Sequence, residues 1–267
     1  MRRSSFLIAL VLALSVRQAL AQSDASGRQP DAVSVIVPVV GTVQGVGDVR
    51  WKTDLELFNE SSQEVTVAIS LATVPDLLPV ITTVPPRQSV VFPDVVGETF
   101  GLDATLSPVL VQTLARRSVS IRATAYGIRG TEVTQPQPIA INYASGYYPL
   151  RVLHGLSFSD DYRTNIGLVN LSEREAVFVL GLQRLAGRNL AVTRVAVPPL
   201  TLWHLSVQAL FPLLNRGSDF TVIVESSDPQ THVYGSVIDN STSNARFIQP
   251  TIAAQVIQTQ AAADRRQ

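Results

Sequence analysis

From Val33 onward, apolar and polar positions alternate with the period of two that marks half-buried β-strands. Over 51–58, Trp51, Thr53, Leu55 and Leu57 fall on one face, and Lys52, Asp54 and Glu56 on the other. A polar stretch follows at Asn59-Glu60-Ser61-Ser62-Gln63, after which Val65, Val67, Ile69 and Leu71 resume the apolar face. Two alternating runs joined by turn residues predict a hairpin. Upstream, Val33 to Val40 is dense in β-branched residues and carries Pro38, an edge-strand signal.

The pattern is stated twice. Trp51-Lys52-Thr53-Asp54-Leu55-Glu56-Leu57-Phe58-Asn59-Glu60-Ser61 returns as Tyr162-Arg163-Thr164-Asn165-Ile166-Gly167-Leu168-Val169-Asn170-Leu171-Ser172, an offset of 162 − 51 = 111 residues. Thr, Leu, Asn and Ser are identical at matching positions, and most others are conservative pairs. Downstream, Val84-Pro85-Pro86 is matched by Val197-Pro198-Pro199. Each copy then predicts a single helical turn, Asp94 to Phe100 against Ser206 to Leu214, with Asp94 and Ser206 as N-caps. Two strands close each half: 109–113 and 119–126 against 220–225 and 232–238. Such self-similarity marks a duplicated structural unit.

Each unit thus reads as about seven short strands with frequent turns, the profile of a β-sandwich; a closed barrel is the alternative. The predicted fold is all-β, two tandem sandwiches over 33–127 and 149–250, each with one short helical turn. Residues 22–32 read as a flexible lead-in, 128–148 as a linker in which Tyr143, Tyr147 and Tyr148 pack, and 251–267 as a tail.

The N-terminus has the layout of a secretory signal peptide. Arg2 and Arg3 form the positive region, Phe6 to Val16 the apolar region, and Ala19-Leu20-Ala21 a cleavage site before Gln22. The apolar run is shorter than the roughly 20 residues of a membrane-spanning helix. With this leader, the motif pair above and Val237-Ile238-Asp239-Asn240, the chain resembles a group of secreted bacterial proteins with paired immunoglobulin-like β-sandwich repeats. The likeness covers about 33–250. It implies fold and a secreted or periplasmic location, and lends no active site.

Charge and composition narrow the chemistry. The chain balances 21 basic against 21 acidic residues, and loss of 1–21 removes three arginines, leaving 18 − 21 = −3. A mildly acidic chain lacks the basic footprint of nucleic-acid binding. No second apolar run approaches spanning length. There is no cysteine, so disulfides, thiolate metal sites and cysteine nucleophiles are excluded, and core burial must carry stability.

Several residues are candidates for function. Asp54/Asn165 and Asn59/Asn170 recur at equivalent places and could be displayed ligand groups. Asn followed by Ser at a turn also satisfies local backbone groups, the simpler reading. Asn59, Asn170 and Asn240 each begin a glycosylation sequon, which in a bacterial setting reads as a turn. His154, His204 and His232 lack the close spacing of a zinc site. A triad from Ser157 or Ser206, a histidine and Asp160 or Asp161 has no nucleophile elbow behind it. Adjacent Asp160 and Asp161 read as a loop and lack the spaced acids of a calcium loop.

Trp51 and Trp203 could stack on sugar, although aromatics dominate sandwich cores. The expectation is a non-enzymatic interaction or structural module that needs no cofactor and no metal, whose partner is a protein or cell-surface glycan. The rival is a carbohydrate-binding protein or hydrolase with a site between the sandwiches, using Trp203, His204, His154, Asp160 or Asp161.

Overall fold

A computed structural model of the chain describes residues 33–113, 119–143, 149–184, 189–226 and 228–252. The expected leader, lead-in, most of the tail, and Tyr147 and Tyr148 lie outside these residues. The described residues are all-β apart from two single helical turns, and the chain divides into two compact units, up to Ser145 and from Gly146 onward.

The first unit contains β1 (Val33–Gln44), β2 (Arg50–Asn59), β3 (Val65–Leu71), β4 (Val80–Val84), β5 (Ser89–Phe92), a π-helical turn (Val95–Thr99), β6 (Thr105–Thr113) and β7 (Val119–Arg129). Three short strands follow: β8 (Glu132–Val133), β9 (Gln137–Ile139) and β10 (Asn142–Tyr143). One layer runs β4-β3-β6-β1-β10. The other runs β5-β2-β7-β9, with β8 also against β7. β1 reaches both layers. It pairs with β6 as far as Thr42, shifts register between Val37 and Val40, and meets β2 at Val43 and Gln44.

The second unit contains β11 (Leu150–Phe158), β12 (Tyr162–Asn170), β13 (Ala176–Arg184), β14 (Asn189–Val197), β15 (Thr201–Ser206), an α-helical turn (Val207–Leu210), β16 (Gly217–Ser226), β17 (Thr231–Asp239), β18 (Ala245–Ile248) and β19 (Thr251–Ile252). Its layers are β14-β13-β16-β11-β19 and β15-β12-β17-β18. In chain order this is the arrangement of the first unit, except that β17 has one short partner, β18, where β7 has two. Phe178, Leu180 and Leu182 of one layer pack with Ile166, Leu168 and Val233 of the other in one buried core. Two layers facing across an apolar core make a sandwich-like unit.

Two expectations change. The turns at Asn59 and Asn170 are not hairpins: β2 and β3 lie in different layers, as do β12 and β13. Turn chemistry reverses the chain locally, and whether the next strand lies beside or across is set by distant pairings. The stretch 128–148 is also more than a linker, because β8, β9 and β10 pair with β7 and β1 inside the first unit. These strands are two or three residues long, too short to show periodicity.

Numbering each unit's seven principal strands in order, the second pairs with the fifth and the third with the sixth. The first lies beside the sixth and the seventh beside the second.

Candidate functional site

The identical residues of the repeated motif all have scaffold roles. Leu57 and Leu168 are fully buried. Thr53 accepts a hydrogen bond from Gly41 N at 3.1 Å through Oγ1, and Thr164 Oγ1 accepts one from Ser157 N at 3.1 Å. Each hydroxyl donates back to the same residue's carbonyl, at 3.5 and 2.6 Å. The threonines therefore tie the first strand of each unit to the second layer.

Asn59 and Asn170 are wholly buried at the end of their strands. Asn59 Nδ2 donates to Gln63 O at 2.7 Å and Val84 O at 3.0 Å, while Oδ1 accepts from Ser61 N and Oγ. Asn170 Nδ2 donates to Arg174 O at 2.7 Å and to Val197 O and Pro198 O, both at 3.0 Å; Oδ1 accepts from Ser172 N and Oγ. Because Val84 and Val197 end strands of the opposite layer, each amide clamps the two layers together. In both copies the accepting carbonyl belongs to the valine of the recurring Val-Pro-Pro. Buried amides are also closed to glycosylation in the folded chain. The turn reading of these asparagines is the one the contacts support.

Asp54 belongs to a polar cluster on the second layer of unit one. Its Oδ1 accepts from Asp94 N at 2.8 Å and from Tyr126 Oη at 3.1 Å. Asp94, left-handed at φ 39°, caps the π-turn through Gly97 N and pairs with Lys52 Nζ at 2.8 Å. Burial, then the Asp54 hydrogen bond and charge, push the Tyr126 hydroxyl up to about 12. Ser206 caps the α-turn through Ala209 N, as expected. Asp54, Asp94, Lys52 and Tyr126 are tied to one another and to the π-turn, which reads as a structural network.

The residues expected to line a site are dispersed over unit two. His154 is exposed on β11, 3.4 Å from Thr221 Oγ1. Trp203 and His204 are neighbours on edge strand β15 and so face opposite sides. Trp203 stands in the row of Leu168 and Val233 and is 36 % exposed. His204 Nδ1 lies 2.8 Å from Tyr234 Oη, and burial holds its pKa down to about 4. Asp160 and Asp161 are exposed in the β11–β12 loop, where Asp160 pairs with Arg216 and its carbonyl accepts from Asn240 Nδ2. Tyr162, the counterpart of Trp51, is 42 % exposed and is not a core residue. Among the described residues, no three His, Cys, Asp or Glu side chains gather as metal ligands.

Two buried groupings lay beyond the sequence reading. The Tyr234 ring is fully buried over Gly167, stacked on Phe247 at 5.4 Å. Its signal was in the motif: Gly167 replaces the Glu56 of the first copy, and a mid-strand glycine marks close approach. At the Asn170 end, buried Arg151 donates to Thr231 O at 2.6 Å and Thr231 Oγ1 at 2.9 Å. His232 beside it is buried with no partner for Nε2, and burial plus the Arg151 charge hold it down to about 4. Nothing local in the sequence announced that pair.

No protein family and no curated protein matches the chain. Solved structures of a Bacteroides uniformis β-glucuronidase, and of β-glucuronidase 2 from that organism covalently bound to cyclophellitol-6-carboxylate aziridine, are similar at 8 % identity and a TM-score of 0.16. In each case the likeness covers 76 % of this chain and 25 % of the other, so the chain spans about a quarter of their length. A likeness this slight carries no functional argument.

Proposed function

We propose that the protein is an exported, non-enzymatic interaction or structural module of the bacterial exterior or periplasm, built by duplication of an immunoglobulin-like sandwich. The carrying observation is where the repeat spends its identity. Thr53/Thr164, Leu57/Leu168, Asn59/Asn170 and Ser61/Ser172 each serve a layer-to-layer tie, the core or the corner. A duplication maintained for scaffold residues suits a display framework, whose recognition surfaces lie on loops, faces and edges. The shared strand order of the two units supports duplication. The second–fifth and third–sixth pairings support the immunoglobulin-like part of the reading, as a variant with its terminal strands exchanged. Export rests on the leader at 1–21.

The dispersal of His154, His204, Asp160 and Asp161, the first three with side-chain contacts of their own, favours a module over an enzyme. The test is capture from cell envelope and culture medium with the full mature chain beginning at Gln22. A saturable protein or glycan partner supports the module. Turnover of a glycoside substrate, lost on Asp160→Asn or His204→Gln, sinks it in favour of the hydrolase.

A further inference from the structure

The outer face of the β14-β13-β16-β11 layer breaks the alternation that solvated sheets obey. An antiparallel sheet with one face on the core ordinarily turns polar residues outward on the other. Here the inward set is Phe178, Leu180 and Leu182 on β13 with Val222 and Val224 on β16, all buried. The outward set has an apolar centre, with Arg194, Glu225, Gln183 and Thr221 on the same face around it. Val192 is 67 % exposed and Val177 44 % exposed, with Val179, Ile223 and Val152 partly exposed between them. Gly181 sits in the middle, where an added Cβ would meet nothing within 4 Å.

The ladder register places these residues in rows across the strands. One row reads Val192, Gly181, Ile223, Val152. The next reads Arg194, Val179, Glu225, Leu150. Arg194 and Glu225 are both exposed, and neither makes an ion pair among the described residues. They flank Val179 on opposite sides, about 10 Å apart at two strand spacings.

We infer that this face binds a second copy of the chain, sheet on sheet, about a two-fold axis running along β13. That rotation exchanges β14 with the partner's β16. It sets Arg194 of each copy opposite Glu225 of the other, and Val192 opposite Ile223. Aligned sheets pack within about 30° of one another, so the rows stay in register near the axis. Isologous pairing requires a patch complementary to itself, and opposite charges placed symmetrically about an apolar centre satisfy that condition. With the axis on β13, three strands of each copy overlap, β14, β13 and β16; at about nine residues each they give a face of roughly 14 by 30 Å, on the order of 400 Å² in projection. That is about half of the roughly 800 Å² one partner contributes to a standard interface, which suits a weak, concentration-dependent dimer. A different partner would have to supply both a matched acid and a matched base at this spacing; a second copy supplies them by symmetry.

The proposal adds self-association to the interaction reading and stands or falls separately. Sedimentation velocity of the full mature chain over a wide concentration range tests it. The expected result is a concentration-dependent doubling of mass. Val192→Asp should return the chain to monomer. Arg194→Glu and Glu225→Arg alone should each weaken the dimer about tenfold, through like charges set face to face. The double exchange R194E/E225R should restore it, a recovery that an effect confined to one copy would not produce. Circular dichroism and urea midpoints unchanged from wild type show that these exposed substitutions leave the fold intact. Monomer at every concentration overturns the inference, as does a dimer insensitive to V192D or an exchange that fails to rescue. A monomer whose capture of another protein is abolished by V192D would assign the face to that protein instead, leaving the interaction reading intact.

Discussion

Replacing Asn170 by alanine removes one side chain and opens five hydrogen bonds. Three donate from Nδ2 to Arg174 O, Val197 O and Pro198 O, and two are accepted from Ser172. The site is wholly buried, so water cannot take over without opening the corner. A buried group left without its partner costs about 1–3 kcal/mol. With Ser172 N and at least one carbonyl orphaned, and a small void added, the loss is on the order of 3–5 kcal/mol. Trp51 and Trp203 are the chain's two tryptophans, one in each unit, so a Trp51→Phe background leaves Trp203 to report the second unit alone. Trp203 pairs with Leu168, two residues from the corner. Urea unfolding followed by its fluorescence should shift to lower midpoint at unchanged slope. A loss below about 1 kcal/mol would mean that the amide is replaceable by solvent and does not clamp the layers.

Asn59→Ala should weaken the first unit in the same way but somewhat less, since Asn59 lacks a bond matching Pro198 O; Trp51 fluorescence in a Trp203→Phe background reads it. Gly167→Ala would put a methyl 1.9 Å from Tyr234 Cε1 and should cost about 3 kcal/mol or more in urea unfolding. The same change in a Tyr234→Ala background should cost much less, and an additive pair would refute the close approach. Stability should fall with acid through His232, whose pKa drops from 6.5 unfolded to about 4 folded. The folded state disfavours the proton, so this contribution is whole above about pH 6.5 and is lost as pH falls towards 4, on the order of 3 kcal/mol in all. His204, which burial also holds down to about 4, contributes stability that is lost over the same pH range and in the same direction. A His232→Gln chain should show a flatter stability profile between pH 6.5 and 4; an unchanged profile would exclude His232 as its source.

How much could be read without coordinates varies by residue. The alternation at 51–58 and 162–168 reports which face is buried, and the buried Leu55, Leu57, Ile166 and Leu168 agree with it. The caps at Asp94 and Ser206 and the turn half of the Asn-x-Ser corners are legible because those partners lie within a few residues; the bonds from Asn59 to Val84 O and from Asn170 to Val197 O span 25 and 27 residues and are not. His154, His204 and His232 were ambiguous because any association among them depends on strands far apart in sequence. The Arg151–Thr231 bonds span 80 residues and have no sequence signature.

The sequence by itself determined a β-class chain with a repeated scaffold motif, no cysteine chemistry, and two capped helical turns. Only the tertiary structure decided that β2 and β3 part into different layers, that 137–143 completes the first unit, and that Gly167 yields to Tyr234. It also decided that the rows of β14, β13 and β16 bring Arg194 and Glu225 to either side of Val179. Periodicity states how often a side chain turns inward. Which strand lies alongside depends on contacts that close long loops, and those contacts are a property of the packed whole.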